Sequence, residues 1–451
     1  MSRILTSFSQ EIGLDLLASS SRDVLLLIFI KIARMLAFGM SSIFLVQFFN
    51  VHGYPDDRTG FFMSCTLIGD VIISYFLTMN ADRIGRRLVL CVGALLMVAS
   101  GIVFALSNNF YILLAAAVFG VISPSGADIG PFKAVEESTL AHLVPPDHRN
   151  DIYAWYSLAS ALAAAAGNIS GGWIVHYLMS NHLQLSELAA YKVVFVIFSL
   201  LGALKFLFSL FLTHRVESDD YLSSKSNIEP TENTSLLESP TDTTSQTTKK
   251  KFSLLPELSS ESVKIVIQLS CLFAMDSFGS SLVQLSWISY YITSKFHINP
   301  EILGTAFFIT GFIGAFTMLI SSSIAKRLGP VLTMALTHFP SSFLIIFIPM
   351  PSTFLVTFII LIVRSCTSQM DVAPRQAFLS MVVRSSERTA VMGWVNVVKT
   401  CSQVFGPTIA GYLASLHKQW VCFILAGTLK VTYDALILLT FALKDVNREH
   451  S

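Results

Sequence analysis

Apolar stretches of about 20 residues, each long enough to cross a hydrocarbon core of about 30 Å, recur about a dozen times along this chain. Inside lipid such a stretch must be a helix, because a helix satisfies its own backbone hydrogen bonds there. With 53% hydrophobic and only 13% charged residues, the chain is too apolar for an ordinary soluble enzyme. We therefore expect an all-α, multi-pass membrane protein embedded in a lipid bilayer.

The apolar stretches predict twelve spans, at residues 24–48, 58–80, 88–107, 110–138, 151–177, 189–213, 262–292, 300–323, 331–349, 353–381, 390–415 and 420–443. Between spans 6 and 7, residues 214–261 are rich in Ser, Thr, Glu and Asn and contain three consecutive lysines, a composition typical of a disordered linker. The chain then divides into an N-terminal six-helix bundle (1–213), the linker (214–261), a C-terminal six-helix bundle (262–443) and a short tail (444–451).

Both bundles carry one sequence skeleton. The first copy contains Asp128, Pro131, Trp155, Gly167 and Gly172, and the second contains Asp371, Pro374, Trp394, Gly406 and Gly411. The spacing from aspartate to proline and the spacing from tryptophan to the last glycine are identical in the two copies. A repeat of this length indicates two related halves, an arrangement found in many transporters.

Basic residues concentrate in the termini, in the linker and in the loops that follow the even-numbered spans. By the positive-inside rule, both termini and the linker are cytoplasmic. One short linker motif bears on the membrane that holds the protein. The sequence from Glu232 to Leu236 and Leu237 resembles an acidic dileucine sorting signal, which favours a vacuolar or lysosome-like membrane. Without this signal, the plasma membrane is the default.

The loop after span 2 contains Asp82, Arg83, Gly85, Arg86 and Arg87. It resembles the G-x-x-x-D-R-x-G-R-R signature of the major facilitator superfamily, with Thr78 in place of the first glycine. A degraded copy, Ala325 to Pro330, follows span 8. This resemblance covers the whole chain. It implies two six-helix bundles around a central cavity that spans 1, 4, 7 and 10 line and that opens alternately to each side.

Glycines in spans 5 and 11 also resemble a family element. Gly167 to Gly172 and Gly406 to Gly411 are similar to the glycine-proline motif of the superfamily's proton-coupled antiporter branch, with Asn168 in place of proline in the first copy. Such glycines let helices bend or pack closely. Plain helix packing is the alternative interpretation.

Charged residues near the predicted cytoplasmic boundary are candidates for a gate. They are Asp82, Arg83 and Arg86 in the loop, Asp128 and Glu136 in span 4, and Asp371 and Arg375 in span 10. At a rise of 1.5 Å per residue, Asp128 lies at this boundary, and Glu136 emerges into the cytoplasm beside the loop. The resemblance implies a salt-bridge latch made by Asp82, Arg83, Arg86 and Glu136. A solvated helix end that contributes little stability is the alternative.

A second group of charges lies roughly 14 to 21 Å deep: Arg34, Asp70, Asp276, Arg364 and Lys399. Exposure to lipid there is costly, so these side chains should face the cavity or each other. Asp70 and Asp276 are candidates for proton coupling, whereas Arg34 and Arg364 could bind an anionic substrate group. The alternative is two buried ion pairs, Arg34 with Asp70 and Arg364 with a carboxylate of the other half. In span 12, Lys430 and Asp434 are predicted to form an intrahelical pair.

The chain contains no G-x-x-x-x-G-K-[ST] loop for ATP, so an ion gradient is the natural energy source. The sequence therefore favours a secondary active transporter that moves a small organic solute by alternating access, coupled to protons. We expect a monomer without cofactor or metal, and a net charge of +1 gives no argument for a nucleic-acid partner. The alternative is a non-transporting receptor that signals through the linker. An enzyme is least expected, since no nucleophile-base constellation stands out.

Overall fold

The computed structural model of the chain describes residues 16–17, 19–120, 122, 131–180, 183–218, 260–382 and 388–442. Within these ranges the secondary structure is helical. Within each half, short connections join consecutive spans, so that spans adjacent in sequence run antiparallel. Asp128, the linker lysines and the Glu232, Leu236 and Leu237 motif lie outside the described residues.

The N-terminal half contains the helices of spans 1 to 6. They are Arg22–Ser42 and Leu45–Val51 (span 1), Asp56–Ile84 (span 2), Arg86–Leu106 (span 3), Phe110–Gly120 and Pro131–Leu143 (span 4), Arg149–Met179 (span 5) and Glu187–Leu210 (span 6). This half continues past the predicted boundary at residue 213, because the 3₁₀ turn His214–Val216 and the following Glu217 pack onto it.

The C-terminal half repeats the same order of helices. They are Ser260–Leu282 and Leu285–Phe296 (span 7), Pro300–Leu328 (span 8), Pro330–Phe347 (span 9), Phe354–Ser368 and Val372–Val382 (span 10), Arg388–Ser415 (span 11) and Trp420–Ile437 (span 12), which ends in the π-helical turn Leu438–Ala442.

Eight helices among the described residues are long and apolar enough to cross a membrane. Spans 4, 9 and 10 contain shorter apolar helices. The remaining span, span 11, is the helix Arg388–Ser415. The predicted all-α fold with twelve spans in two six-helix bundles is confirmed.

Spans 1 and 7 break at equivalent points, after Ser42 and after Leu282. A break removes helical partners from backbone carbonyls, which are costly to leave unpaired in a membrane. Two serines of span 7 supply the missing donors. Ser286 Oγ donates to the Ser42 carbonyl oxygen at 2.6 Å, and Ser289 Oγ donates to the Ile43 carbonyl oxygen at 2.5 Å. The break in span 1 is therefore stabilised by the opposite half of the protein.

The helices end at two opposite faces of the assembly. The terminal face holds the helix ends at Arg22, Ile84, Leu210 and Ser260, and the opposite face holds the ends at Val51, Leu106, Phe296 and Phe354. Near the opposite face, glycines bring the two halves into close contact at two symmetric places. Span 2 packs on span 11 through Gly60 and Gly411, and span 5 packs on span 8 through Gly172 and Gly304.

Polar contacts between the halves also cluster toward the opposite face. Besides the serines of span 7, Tyr290 donates to Asp56 Oδ2 at 3.1 Å, and His176 Nδ1 lies 2.8 Å from Glu301 Oε2. Ser64 and Thr408 join spans 2 and 11 through hydroxyl oxygens 2.7 Å apart. The two halves are therefore closed against each other at this face.

Replacing Gly411 with alanine tests the close packing of the two halves. A Cβ atom at this position would lie 2.3 Å from the carbonyl oxygen of Asp56 and 2.8 Å from the Cα atom of Gly60. We expect Gly411→Ala to destabilise the protein by about 1 to 3 kcal/mol, the usual effect of overpacking. Thermal unfolding in detergent measures this change. Gly393→Ala on the same helix, where nothing lies within 4 Å of the added Cβ, is the control. An equal loss of stability in both variants would contradict the interface packing.

Candidate functional site

A cavity of about 520 Å³ lies between the two halves. Spans 1, 4, 7 and 10 line it, as the resemblance implied, and spans 5 and 8 contribute as well. Lys133 and Glu137 line it toward the terminal face, with side chains 40% and 37% exposed. Because the opposite face is closed, the cavity opens toward the terminal face.

Arg364 is the one member of the deep group of charges that lines this cavity. Its Nε atom is buried and makes no hydrogen bond, and it forms no ion pair with any described residue. The predicted pairing with a carboxylate of the other half is therefore not observed in the described part of the chain. The cavity lining also includes polar side chains. Ser365, Ser368 and Gln369 follow Arg364 on span 10, and the buried Asn168 lies on span 5.

In the N-terminal half, the buried Arg34 and Lys205 meet at Glu136. Its side chain is fully buried, and its Oε2 lies 2.5 Å from Arg34 Nη2 of span 1. Tyr156 of span 5 donates to the same oxygen at 2.7 Å, and Lys205 Nζ of span 6 lies 3.6 Å from Oε1. Lys205 also lies over the ring of Phe132, 5.2 Å from its centroid. One carboxylate thus ties four helices together, which we call the Glu136 cluster.

The expected position of Glu136 was wrong. The sequence predicted that it emerges beside Asp82 and Arg86, whereas the structure buries it with Arg34. The reason is that the second helix of span 4 continues from Pro131 to Leu143, so about 10 Å of helix separates Glu136 from the terminal face. The alternative of a direct ion pair between Arg34 and Asp70 is not observed among the described residues, where Arg34 binds Glu136.

In the C-terminal half, the buried charges meet at Asp276 of span 7. Its Oδ1 lies 2.7 Å from Lys430 Nζ of span 12, and its Oδ2 lies 3.1 Å from Arg375 Nη1 of span 10. His338 of span 9 approaches Oδ1 through Nε2 at 3.6 Å, and its Nδ1 lies 2.7 Å from Asp434 Oδ1. Arg375 also pairs with Asp371. We call this group the Asp276 cluster.

The predicted intrahelical pair of Lys430 and Asp434 is therefore wrong, since each residue bonds to a different helix. Lys430 reaches Asp276, and Asp434 reaches His338. The two bonds to neighbouring helices are each 2.7 Å long. Lys399 lies beside this cluster, over the ring of Phe273 at 5.8 Å.

The two clusters share one element that the sequence analysis missed. Span 6 contains Gly202-Ala203-Leu204-Lys205, and span 12 contains Gly427-Thr428-Leu429-Lys430. Gly202 packs on span 3 and Gly427 packs on span 9, so the glycine brings the helix close and the lysine three residues later reaches the central carboxylate. This repeated G-x-L-K pattern is the signal that could have identified both lysines.

At the terminal face, the signature loop bonds within its own half. Arg86 Nε donates to Asp82 Oδ1 at 2.7 Å, while Arg83 is exposed. The unpredicted partner is Glu217, whose Oε2 accepts from the backbone N–H of Arg86 at 2.6 Å. A carboxylate at this helix N-terminus satisfies free amides and complements the helix dipole. Glu217 lies at the start of the predicted linker (214–261), so the loop is connected to the beginning of that segment.

The other predicted site residues make their described contacts within their own half of the protein. Asp70 is buried on span 2, and its Oδ1 makes no hydrogen bond to a described residue. Asp371 and Arg375 belong to the Asp276 cluster rather than to a latch with the other half. His338 was missed because it is a single histidine in an apolar segment, and its partners come from spans 7 and 12.

Comparison with known proteins agrees with this architecture. The sequence model of the Major Facilitator Superfamily matches residues 27–368 and 269–451. The chain belongs to this superfamily of membrane transporters. A relative in Saccharomyces cerevisiae, the uncharacterized membrane protein YJR124C, is 37% identical over 430 residues, which cover 94% of each chain.

Two solved structures show the same fold at low sequence identity. A D-xylose-proton symporter has a TM-score of 0.66 at 14% identity, covering 92% of this chain and 96% of the symporter. The human organic anion transporter MFSD10 has a TM-score of 0.58 at 17% identity, covering 92% of this chain and 99% of MFSD10. At these identities the likeness extends to the fold alone.

Adjacent glutamates provide a test of the Glu136 cluster. Glu136→Gln leaves Arg34 and Lys205 buried without their carboxylate, and breaking a buried pair in this way costs about 3 to 5 kcal/mol. Glu137→Gln changes a side chain that is 37% exposed, so its effect should stay within about 0.5 kcal/mol. Thermal unfolding of the two variants measures the difference. Equal stability of the two variants would be incompatible with a buried ion cluster.

Proposed function

We propose that the protein is a secondary active transporter that moves a small organic solute by alternating access. The observation that carries this proposal is the cavity between the halves, closed at the opposite face and lined by Arg364, which is half-buried and has no ion-pair partner among the described residues. A cation held partly out of water without a counter-charge is costly, and an anionic solute would relieve that cost when it binds.

The chemistry of Arg364 favours a solute with a carboxylate or phosphate group. A guanidinium presents a planar set of donors that matches two oxygens of either group. Asn168, Ser365 and Gln369 would hydrogen-bond the polar atoms of the remaining solute. A transporter of organic anions and a proton symporter are among the proteins with this fold, which makes both activities compatible with the architecture.

The positive-inside rule supports a cytoplasmic terminal face, so the structure corresponds to an inward-open state. Transition to the outward-open state would separate the glycine contacts at the opposite face and bring together the terminal-face ends of the two halves. Asp82, Arg83 and Arg86 of the signature loop are proposed to act in closing this face. The resident membrane is proposed to be vacuolar or lysosome-like, or the plasma membrane, on the basis of the linker motif.

Proton coupling is supported by two buried carboxylates, one in each half. Asp70 has an oxygen without a described hydrogen-bond partner, and Asp276 is shared between cations of two helices. A carboxylate that exchanges such partners between two conformations can take up a proton in one of them and release it in the other. The gradient of protons would then drive the solute.

Ligand binding tests the role of Arg364. Citrate, succinate, benzoate and inorganic phosphate, added to the purified protein in detergent, are the probes. A ligand that binds the folded state raises its unfolding temperature. We expect at least one of these anions to raise the unfolding temperature of the wild type, and Arg364→Gln to abolish the effect. Arg58→Gln, at an exposed arginine of the opposite face, should preserve it. A shift that survives Arg364→Gln would refute the anchor.

Flux measurements test the transport and coupling claims. With the protein in liposomes, uptake of the anion identified above should increase when a proton gradient is imposed, and Asp70→Asn should lose that increase. Asp57→Asn, at an exposed carboxylate of the opposite face, should behave as the wild type. Uptake that ignores the gradient would contradict proton coupling. Binding without any uptake would instead support the receptor alternative.

A further inference from the structure

We propose that His338, held by Asp434, is a proton-binding site of the C-terminal half, and that a proton there acts on the cavity through Asp276, Arg375 and the break in span 10. This inference rests on the proposed transport function and identifies a residue for its proton coupling. His338 and Asp434 are buried, with side chains 5% and 1% exposed. Histidine is the residue type whose side chain most readily changes charge near neutral pH, which makes this position a candidate switch.

The contacts of the imidazole define its hydrogen-bonding state. Nδ1 lies 2.7 and 2.9 Å from the two carboxylate oxygens of Asp434, and a carboxylate only accepts hydrogen bonds. With Asp434 ionised, Nδ1 carries a proton and donates to Asp434. Nε2 is consequently the nitrogen that gains or loses a proton.

Nε2 lies between a cation and an anion. It is 3.3 Å from Lys430 Nζ and 3.6 Å from Asp276 Oδ1. Without a proton, Nε2 accepts a hydrogen bond from Lys430, which also binds Asp276 at 2.7 Å. With a proton, Nε2 repels Lys430 and donates to Asp276 instead. One proton thus changes the partner of Nε2 and weakens the bond between Lys430 and Asp276.

Asp276 connects this change to span 10. Its second oxygen binds Arg375, which also pairs with Asp371 at the break between the two helices of the span. Ser368 and Gln369 line the cavity just before the break, and Arg364 precedes Ser368 by one helical turn. A change in how Asp276 holds Arg375 therefore acts on the segment that carries the solute-binding arginine.

Charged and polar side chains from five spans lie at or near His338. Span 7 contributes Asp276, span 9 Ser342, span 10 Asp371 and Arg375, span 11 Lys399, and span 12 Lys430, Tyr433 and Asp434. With a neutral imidazole, the three carboxylates balance the three cations. A proton on His338 leaves one positive charge uncompensated, which favours an anion at Arg364, so that proton and anion promote each other's binding.

Spin-label distances test this inference without a known substrate. The six cysteines are free and can be replaced, and labels can be attached at Ile84 and Leu328, which are exposed at the terminal-face ends of spans 2 and 8. We expect the wild-type distance distribution in liposomes to change its populations between pH 8 and pH 5.5, because the proton favours one arrangement of the halves. His338→Gln should abolish this change, and Asp434→Asn should reduce it.

Two control variants show whether the pH response of the distances comes from His338 itself. One changes an uncharged neighbour of its ring, and the other changes an exposed histidine elsewhere. Ser342→Ala removes an uncharged group 3.1 Å from the same ring, and His142→Gln removes an exposed histidine; both should keep the wild-type pH response. Should His338→Gln fail to fold, Asp434→Asn takes its place as the test variant.

A response that persists in both His338→Gln and Asp434→Asn, or a wild type without any response, would overturn the proposal. Arg364→Gln should keep the response while losing anion binding. Failure of the transport proposal therefore remains distinguishable from failure of the proton site.

Discussion

A charge buried away from water is costly to leave unpaired, and this cost organises both halves of the protein. Glu136 and Asp276 each bind a lysine from the last helix of their half and an arginine from another helix. The roles of the helices are exchanged between the halves. The arginine is on the first span and the acid on the fourth in the N-terminal half, whereas the acid is on the first and the arginine on the fourth in the C-terminal half. Each cluster fastens its own helices together, so each half can move as a unit.

The interface between the halves is built from weaker parts. Paired glycines allow close approach of spans 2 and 11 and of spans 5 and 8, and serine hydroxyls cap the broken helix of span 1. Each of these contacts contributes little free energy, and water or other polar groups can replace the hydrogen bonds. Strong bonds within the halves and weak bonds between them are the combination that rocking motions require. Arg364 belongs to neither set, which leaves it available to a solute.

Much of the fold was predictable because the bilayer restricts what a chain can do. The hydrocarbon thickness sets the length of a span, and the lack of water inside it requires helices. The repeated skeleton indicated two halves, and depth along the helix identified Arg364 as a deep charge. The burial of Glu136 was not predictable, because the partners that bury it, Arg34, Tyr156 and Lys205, lie on three other helices. The importance of His338 was also hidden, since nothing in its own segment marks it.

By itself, the sequence determined the class of protein, the number of spans, the relation between the halves and the presence of costly charges within the membrane. Those properties follow from local composition and spacing, which act along one helix at a time. The tertiary structure decided the partner of each charge. Lys430 bonds to Asp276 instead of Asp434, and Arg34 bonds to Glu136 instead of Asp70, because ion pairing depends on distances between helices far apart in the chain. Only the packed halves leave Arg364 in a cavity and place His338 between a lysine and an aspartate.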